Sequence, residues 1–291
     1  MNLYLKKRLR KQKIVFFTIS VLAILILVAM MGIIVIIFVK GIRVINWKFL
    51  TSLPSFDFYG VPQGGIGPAI VGTFLITGLG LVFSVPLGIL GGIFLSEYRT
   101  KGKLFNIMRM SVANLAGVPS VVHGLFGMAV FTIFFGLGLS ILSASLTLSI
   151  LALPIVIMVT ENAMKNVPDS VREGAFALGA KRWQSALLVV FPAAFSKIMT
   201  GVVLSSARIA GETAPILFTG ATLYLTYYPH GLNEQFMALP YMIWGLVTTS
   251  INISASTPFA YGISIVLIIL VAAMNSVAMV SRFVMRKHDV L

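Results

Sequence analysis

Long apolar runs, separated by short basic or Gly- and Pro-bearing stretches, dominate the chain, and their lengths predict helices that cross a bilayer. The first runs from Ile14 to Val39 without a charged residue. It exceeds the roughly 7–15 apolar residues of a signal-peptide core and lacks a small-residue cleavage site, so it reads as a retained span. Further runs cover Gly67 to Leu95, Leu115 to Leu137 and Leu142 to Thr160. A fifth lies within Leu187 to Ala221, and a sixth runs from about Pro258 to Val280. Phe236 to Val247 is apolar but short and holds Pro240, so it is expected as a re-entrant or interfacial piece of an outer loop. The pattern predicts an all-α integral membrane protein with six transmembrane helices. Residues 1–65 hold a basic tail, the first span and an outer loop; residues 66–282 form a core of five spans; residues 283–291 form a tail.

Charge tests this count independently. The chain has 22 Lys and Arg against 8 Asp and Glu, yet only 10% of its residues are charged, where soluble proteins carry about 25%. With six spans and the amino terminus inside, 17 of the 22 basic residues fall on the cytoplasmic side. They are Lys6, Lys7, Arg8, Arg10, Lys11 and Lys13 in the tail; Arg99, Lys101, Lys103 and Arg109; Lys165, Arg172, Lys181 and Arg182; and Arg282, Arg286 and Lys287. Only Lys40, Arg43 and Lys48 fall outside, while Lys197 and Arg208 lie in the fifth apolar segment. The positive balance is therefore mostly topology rather than a nucleic-acid surface, and both termini are expected in the cytoplasm.

Chemistry is sparse. There are no cysteines, and His123, His230 and His288 lack ligand spacing, so no metal site is expected. Glycines cluster inside spans, as at Gly78, Gly80, Gly88, Gly91 and Gly92, where small residues let helices pack closely in lipid. Pro86, Pro119, Pro154, Pro192 and Pro215 sit in or beside spans, a pattern suited to a pathway protein with broken helices.

The segment from Asn166 to Pro192 is the most informative. Ser170 and Glu173 have capping-box spacing, and Asp169 adds negative charge at the same helix start. Gly179 is the expected C-cap, after which Lys181, Arg182 and Trp183 restart a helix at the membrane face. Val171, Ala175 and Leu178 share one face of the short helix, with Phe176 elsewhere. That face suits either insertion into a groove of another protein, where Gly174 and Ala175 permit close approach, or rest on the membrane; residue types alone leave both open.

Glu173-Gly174-Ala175, three residues, Gly179, nine residues and Val189-Val190-Phe191-Pro192 resemble the EAA loop of ATP-binding-cassette importer permeases, interval by interval. In that family the loop is the coupling helix that docks onto the ATPase. The resemblance implies a type I importer permease fold and coupling roles for Ser170, Glu173, Gly174, Ala175, Gly179 and Pro192. The chain has no G-x-x-x-x-G-K-[ST] phosphate loop, so the motor is a separate subunit.

Three more stretches narrow the resemblance. Gly64 to Thr73, Val118 to Gly127, and Ala207-Arg208-Ile209-Ala210-Gly211-Glu212-Thr213-Ala214-Pro215 are similar to the PstA-type phosphate permease family. This implies partners: a homologous PstC-like permease, a PstB-like ATPase dimer that binds ATP and Mg, and an external PstS-like phosphate-binding protein. The location implied is the inner membrane of a prokaryotic cell, with no cofactor in this chain and no reaction catalysed by it.

Arg208 and Glu212 stand four residues apart in an apolar segment, where a charge at the bilayer centre costs at least about 2.5–3.5 kcal/mol. They form either a neutralising pair between helices or an oxyanion site, in which the guanidinium fork donates and Glu212 orients it, with Thr213 beside them. The same docking loop serves importers of sulfate, molybdate and organic solutes. An ATP-independent channel or secondary transporter is the remaining alternative. Glu161, closing the fourth span, is expected to pair with Lys165.

Overall fold

A computed structural model describes the backbone of residues 3–57, 61–98 and 102–286 and, within these, the side chains of residues 11–57, 61–98, 102–276 and 279. Arg99, Lys101, Lys287 and the rest of the 287–291 tail lie outside the described residues, as do the side chains of Lys6, Lys7, Arg8, Arg10, Arg282 and Arg286.

The helices, in order, are α1 (Leu3–Gly41), α2 (Trp47–Thr51), α3 (Gly67–Glu97), α4 (Lys103–Ala116), α5 (Ser120–Gly127), α6 (Ile141–Lys165), α7 (Asp169–Ala177), α8 (Arg182–Gln184), α9 (Phe191–Gly211), α10 (Ala214–Leu217), α11 (Leu239–Thr248) and α12 (Ile253–Arg286). π-helical turns extend α5 through Met128–Phe134 and join α8 to α9 through Ser185–Val190. Among the described residues five helical stretches are long and apolar enough to cross a membrane: Lys11–Gly41, Gly67–Glu97, Ile141–Lys165, Arg182–Gly211 and Ile253–Ser276.

The expected third span, Leu115 to Leu137, is not one helix. α4 and the Ser120–Phe134 stretch meet at 101° across a break at residues 117–119. Pro119 caps α5 with φ −57 and ψ 140, and a residue preceding proline is itself pushed out of helical geometry, so the chain turns there. Only the bent pair together would make a sixth crossing. α11, ten residues long with Pro240 in its first turn, is too short to span, as its sequence predicted.

α6 is the central and most buried span. It packs along α3, whose glycines remove the side chains that would hold the helices apart. A Cβ on Gly88 would stand 2.6 Å from the Val156 Cβ, and one on Gly92 would stand 2.4 Å from that of Thr160. Gly78 faces open space, so not every glycine of the cluster serves packing. On its other side α6 packs against α9, with Gly201 against Val159. At the N-terminal end of α6 the segment after α10 folds back over it: the Thr219, Glu234 and Leu232 carbonyls accept from the Ser140, Ile141 and Leu142 amides at 2.9–3.0 Å. This satisfies donors that a helix start leaves unpaired.

α1 is different. None of the residues in its spanning window is buried, and it meets the rest of the chain through α12. Among the described residues contact is tight at its C-terminal end, where Gly41 lies against the Tyr261 backbone and Lys40 sits 5.5 Å over the Tyr261 ring.

Candidate functional sites

The short helix α7 packs against the π-helical turn that leads into α9 and lies beside the C-terminal ends of α3 and α6. Its N-terminal geometry differs from the sequence expectation. Pro168, with φ −57, occupies the cap position, and the helix begins at Asp169. Ser170 is thus already inside the first turn, no side chain caps the helix, and the capping box of Ser170 and Glu173 does not form. Proline at the cap sets the backbone entry and displaces the helix start by two residues from the expected cap at Ser170.

The C-terminal end is as expected. Gly179 has φ +81, a conformation that costs an L-residue about 1–2 kcal/mol. Its amide donates to the Phe176 carbonyl at 2.9 Å, and the Ala180 amide donates to the Ala175 carbonyl at 3.1 Å. Those two bonds are the Schellman pattern. Lys181 then opens the next helix, its amide donating to the Gln184 side chain at 2.7 Å.

The expected common face of Val171, Ala175 and Leu178 divides. Ala175 is buried and Val171 packs against the core cluster of Ile93, Met164, Val167, Ala186, Val190 and Ile198. Leu178 is 91% exposed, because the helix ends before its position completes that face. Ala175 therefore seats α7 on its own bundle. The outward surface consists of Ser170, Glu173, Gly174, Ala177 and Leu178, with Phe176 at its edge. A Cβ on Gly174 would meet nothing within 4 Å, which leaves that spot open to close approach. Pro192 is not part of this surface; it begins α9 beyond the π-helical turn on which α7 packs.

Sequence reasoning missed the residue that holds α7 in place. Arg172 uses all five guanidinium donors. Its Nε and one terminal nitrogen grip the Glu97 carboxylate at 3.2 and 2.9 Å. The others reach the Met164 and Val167 carbonyls at 2.8 Å and the Asp169 carboxylate at 3.2 Å. Met164 lies in the last turn of α6 and Val167 two residues past its end, where carbonyls are left over from the helix ladder, and Glu97 ends α3. One side chain therefore ties α7 to two spans. The hydrogen bond to Glu97, the largest influence, and the nearby carboxylates hold the guanidinium above its ordinary pKa despite partial burial. The available signal was Glu97 itself, an acid closing an apolar run without a basic residue in its own helix.

A second node lies nearby. Glu161 pairs with Lys165, as expected, and also accepts from the Arg109 Nε at 3.2 Å. That contact anchors α4, whose buried Phe105 joins Leu95 and Ile157. Between the two nodes lies a polar cleft of about 490 Å³ lined by Lys165, Arg172, Arg182, Glu97 and Asp169.

At the other end of α9, Arg208 and Glu212 are brought together, Nε to Oε1 at 3.4 Å. The helix stops at Gly211, short of the predicted limit at Ala221, and Glu212 is extended with φ −74 and ψ 134. Its carboxylate turns back to Arg208 from outside the helix. Thr213 follows at the cap of α10, half-buried. The Arg208 side chain is 43% exposed and that of Glu212 15%. α10 packs against α5, where Gly124 leaves no space: a Cβ there would lie 2.9 Å from the Pro215 Cα.

Comparison with known proteins places this arrangement. The family model described as "Binding-protein-dependent transport system inner membrane component" matches residues 84–286. The "Probable phosphate transport system permease protein PstA" of Methanocaldococcus jannaschii is 33% identical over 267 residues, covering 91% of this chain and 92% of that protein. The "Phosphate transport system permease protein PstA 1" of Mycobacterium tuberculosis is 35% identical, covering 76% and 71%. The "Probable ABC transporter permease protein YqgI" of Bacillus subtilis is 34% identical over 63% of this chain, and the match spans 61% of that protein's length. Among solved structures, a bacterial alginate ABC transporter chain superposes with a TM-score of 0.65 at 14% identity over 94% of both chains. A chain of the MetNI methionine ABC transporter does so at 0.58 and 17%, covering 76% of this chain and 94% of its own. The shared fold, the multi-pass helices and the match over most of the chain agree: this protein belongs to the binding-protein-dependent transport system inner membrane component family.

Proposed function

We propose that this chain is the transmembrane permease subunit of an ATP-driven importer of inorganic phosphate. The observation that carries the reading is the Arg208–Glu212 pair, whose guanidinium lies on a face of α9 left exposed among the described residues. A guanidinium donates two parallel hydrogen bonds to a tetrahedral oxyanion, and a carboxylate at its Nε fixes its orientation while leaving the terminal nitrogens available. Relatives that carry phosphate transport in their names, at 33% and 35% identity, support phosphate over other oxyanions.

The rest of the assembly follows from unpartnered surfaces. The outward face of α7, with Ser170, Glu173 and Gly174, is the attachment point for an ATP-binding-cassette ATPase dimer, which binds ATP and Mg; this chain hydrolyses nothing. Gly179 fixes the turn that presents that face, Ala175 seats it, and Pro192 begins the span it drives. The exposed length of α1 is covered by a second, homologous permease, which faces the open stripe of α9 across the path. An external binding protein delivers the anion to the outer side. Both termini lie in the cytoplasm of a prokaryotic cell on this reading, which the distribution of basic residues supports, with residues 66–282 as the core, residues 1–65 before it and 283–291 after it. ATP-driven closure of the motor pushes on α7, and the spans reopen alternately outward and inward.

The test is uptake by the purified assembly in proteoliposomes, with labelled phosphate and labelled sulfate offered separately with their binding proteins. ATP-dependent phosphate uptake is expected. Uptake of sulfate without phosphate would replace the cargo, and uptake that persists without any ATPase subunit would remove the importer reading.

A further inference from the structure

From Ala193 onward, the exposed residues of α9 are Ala193, Lys197, Thr200, Leu204, Arg208 and Gly211. Their spacings of three and four stack them in one stripe. The opposite flank, with Ala194, Ile198, Gly201, Ser205 and Ile209, is buried against the chain's own helices. Two cations share the stripe. Arg208 is held by Glu212, whereas Lys197 forms no ion pair among the described residues. They stand three turns apart, about 16 Å by helix rise. Gly201, one turn outward of Lys197, touches Val159 near the inner end of α6, so Lys197 stands toward the inner mouth while Arg208 stands in the outer half. Leu204, 59% exposed, separates them with an apolar step.

We propose that Lys197 is a second, inner contact for the same oxyanion that Arg208 receives, used as the anion leaves toward the cytoplasm. This rests on the reading that the open face of α9 lines the path. The two side chains suit different tasks. A guanidinium in a fixed fork selects a tetrahedral anion, whereas an ammonium on a flexible stem is a point charge with three donors and little geometric demand. The apolar step keeps the stations separate, so that an anion is passed on rather than held by both, which is the multi-site weak binding that conduction requires.

The chain contains no cysteine, which permits a direct test in the complete transporter built with cysteine-free partners. Lys197→Cys and Arg208→Cys are each treated in nanodiscs with a water-soluble thiol reagent, with and without inorganic phosphate, at two contents of phosphatidylglycerol. Phosphate is expected to slow modification at both positions. In proteoliposomes Lys197→Cys should lower uptake about tenfold, the factor for roughly one charge-assisted contact. An aminoethyl reagent, which returns a positive charge, should restore most of it, and a sulfonatoethyl reagent should abolish it. Lys197→Arg should keep uptake near the parent rate. Protection at position 208 with none at 197 would overturn the inner contact and leave the path reading standing. Absence of protection at both would overturn the path reading itself. A modification rate at 197 that follows phosphatidylglycerol rather than phosphate would make Lys197 a lipid-headgroup contact and overturn the proposal.

Discussion

Removing Arg172 should undock α7. The Arg172 and Glu97 side chains are 15% and 9% exposed, so solvent screens the pair weakly. Arg172→Met leaves the Glu97 carboxylate buried without its cation and removes one donor each from the Met164 and Val167 carbonyls. Breaking such a pair from one side costs about 3–5 kcal/mol. Glu97→Leu should cost a similar amount, because it strands the guanidinium. The double variant removes both charges and keeps only the loss at the two carbonyls, about 1–3 kcal/mol. The cycle therefore has a coupling energy of at least about 3 kcal/mol, far above the roughly 0.5 kcal/mol within which independent sites add. The assay is amide hydrogen exchange of residues 169–177 in nanodiscs. Each single variant should exchange at least about a hundredfold faster than the parent, at about 1.4 kcal/mol per tenfold, and the double variant should be slower than either. Exchange in Arg172→Met within a few-fold of the parent, or additive effects in the cycle, would refute the node.

Gly179→Val puts a β-branched residue at φ +81 and should destabilise the turn by about 1–2 kcal/mol, read as faster exchange at Ala180; Gly179→Asn, which tolerates that conformation, should be milder. Glu173→Arg changes only the outward face of α7, so membrane levels should hold while ATP hydrolysis continues without phosphate uptake; normal coupled uptake would remove the docking role. Arg208→Lys keeps the charge and loses the fork, so uptake should fall about tenfold if two parallel bonds are made to the anion, and an unchanged rate would return the pair to a purely structural role.

Much of the fold was legible because a bilayer imposes length and polarity on each segment. The spans starting near Gly67, Leu142 and Pro258 appear where the apolar runs begin, and Gly179 ends α7 because a helix terminus needs a residue free to take positive φ. Hydropathy alone could not find the break at Pro119, since α5 and the end of α4 are both apolar and only the angle between them separates the segments. The capping box failed for a local reason: Pro168 fixed the helix entry before Ser170 could cap it. Arg172 was hidden differently. It lies 75 positions from Glu97, and only the parallel packing of α3 and α6 brings their C-terminal ends together beside α7. In the fifth span, sequence showed that Arg208 and Glu212 were close, but not that Gly211 ends the helix between them.

The saturated guanidinium of Arg172 has a mechanical consequence. With every donor engaged, it offers no slack: a displacement of α7 must carry the ends of α3 and α6 with it, as a rigid yoke rather than a hinge. The compliance in series must then lie where the backbone ladder is irregular, and the candidate is the π-helical turn Ser185–Val190, on which α7 rests and from which α9 rises. A force applied below would load two spans at once, and that turn would set how much of the stroke reaches the third.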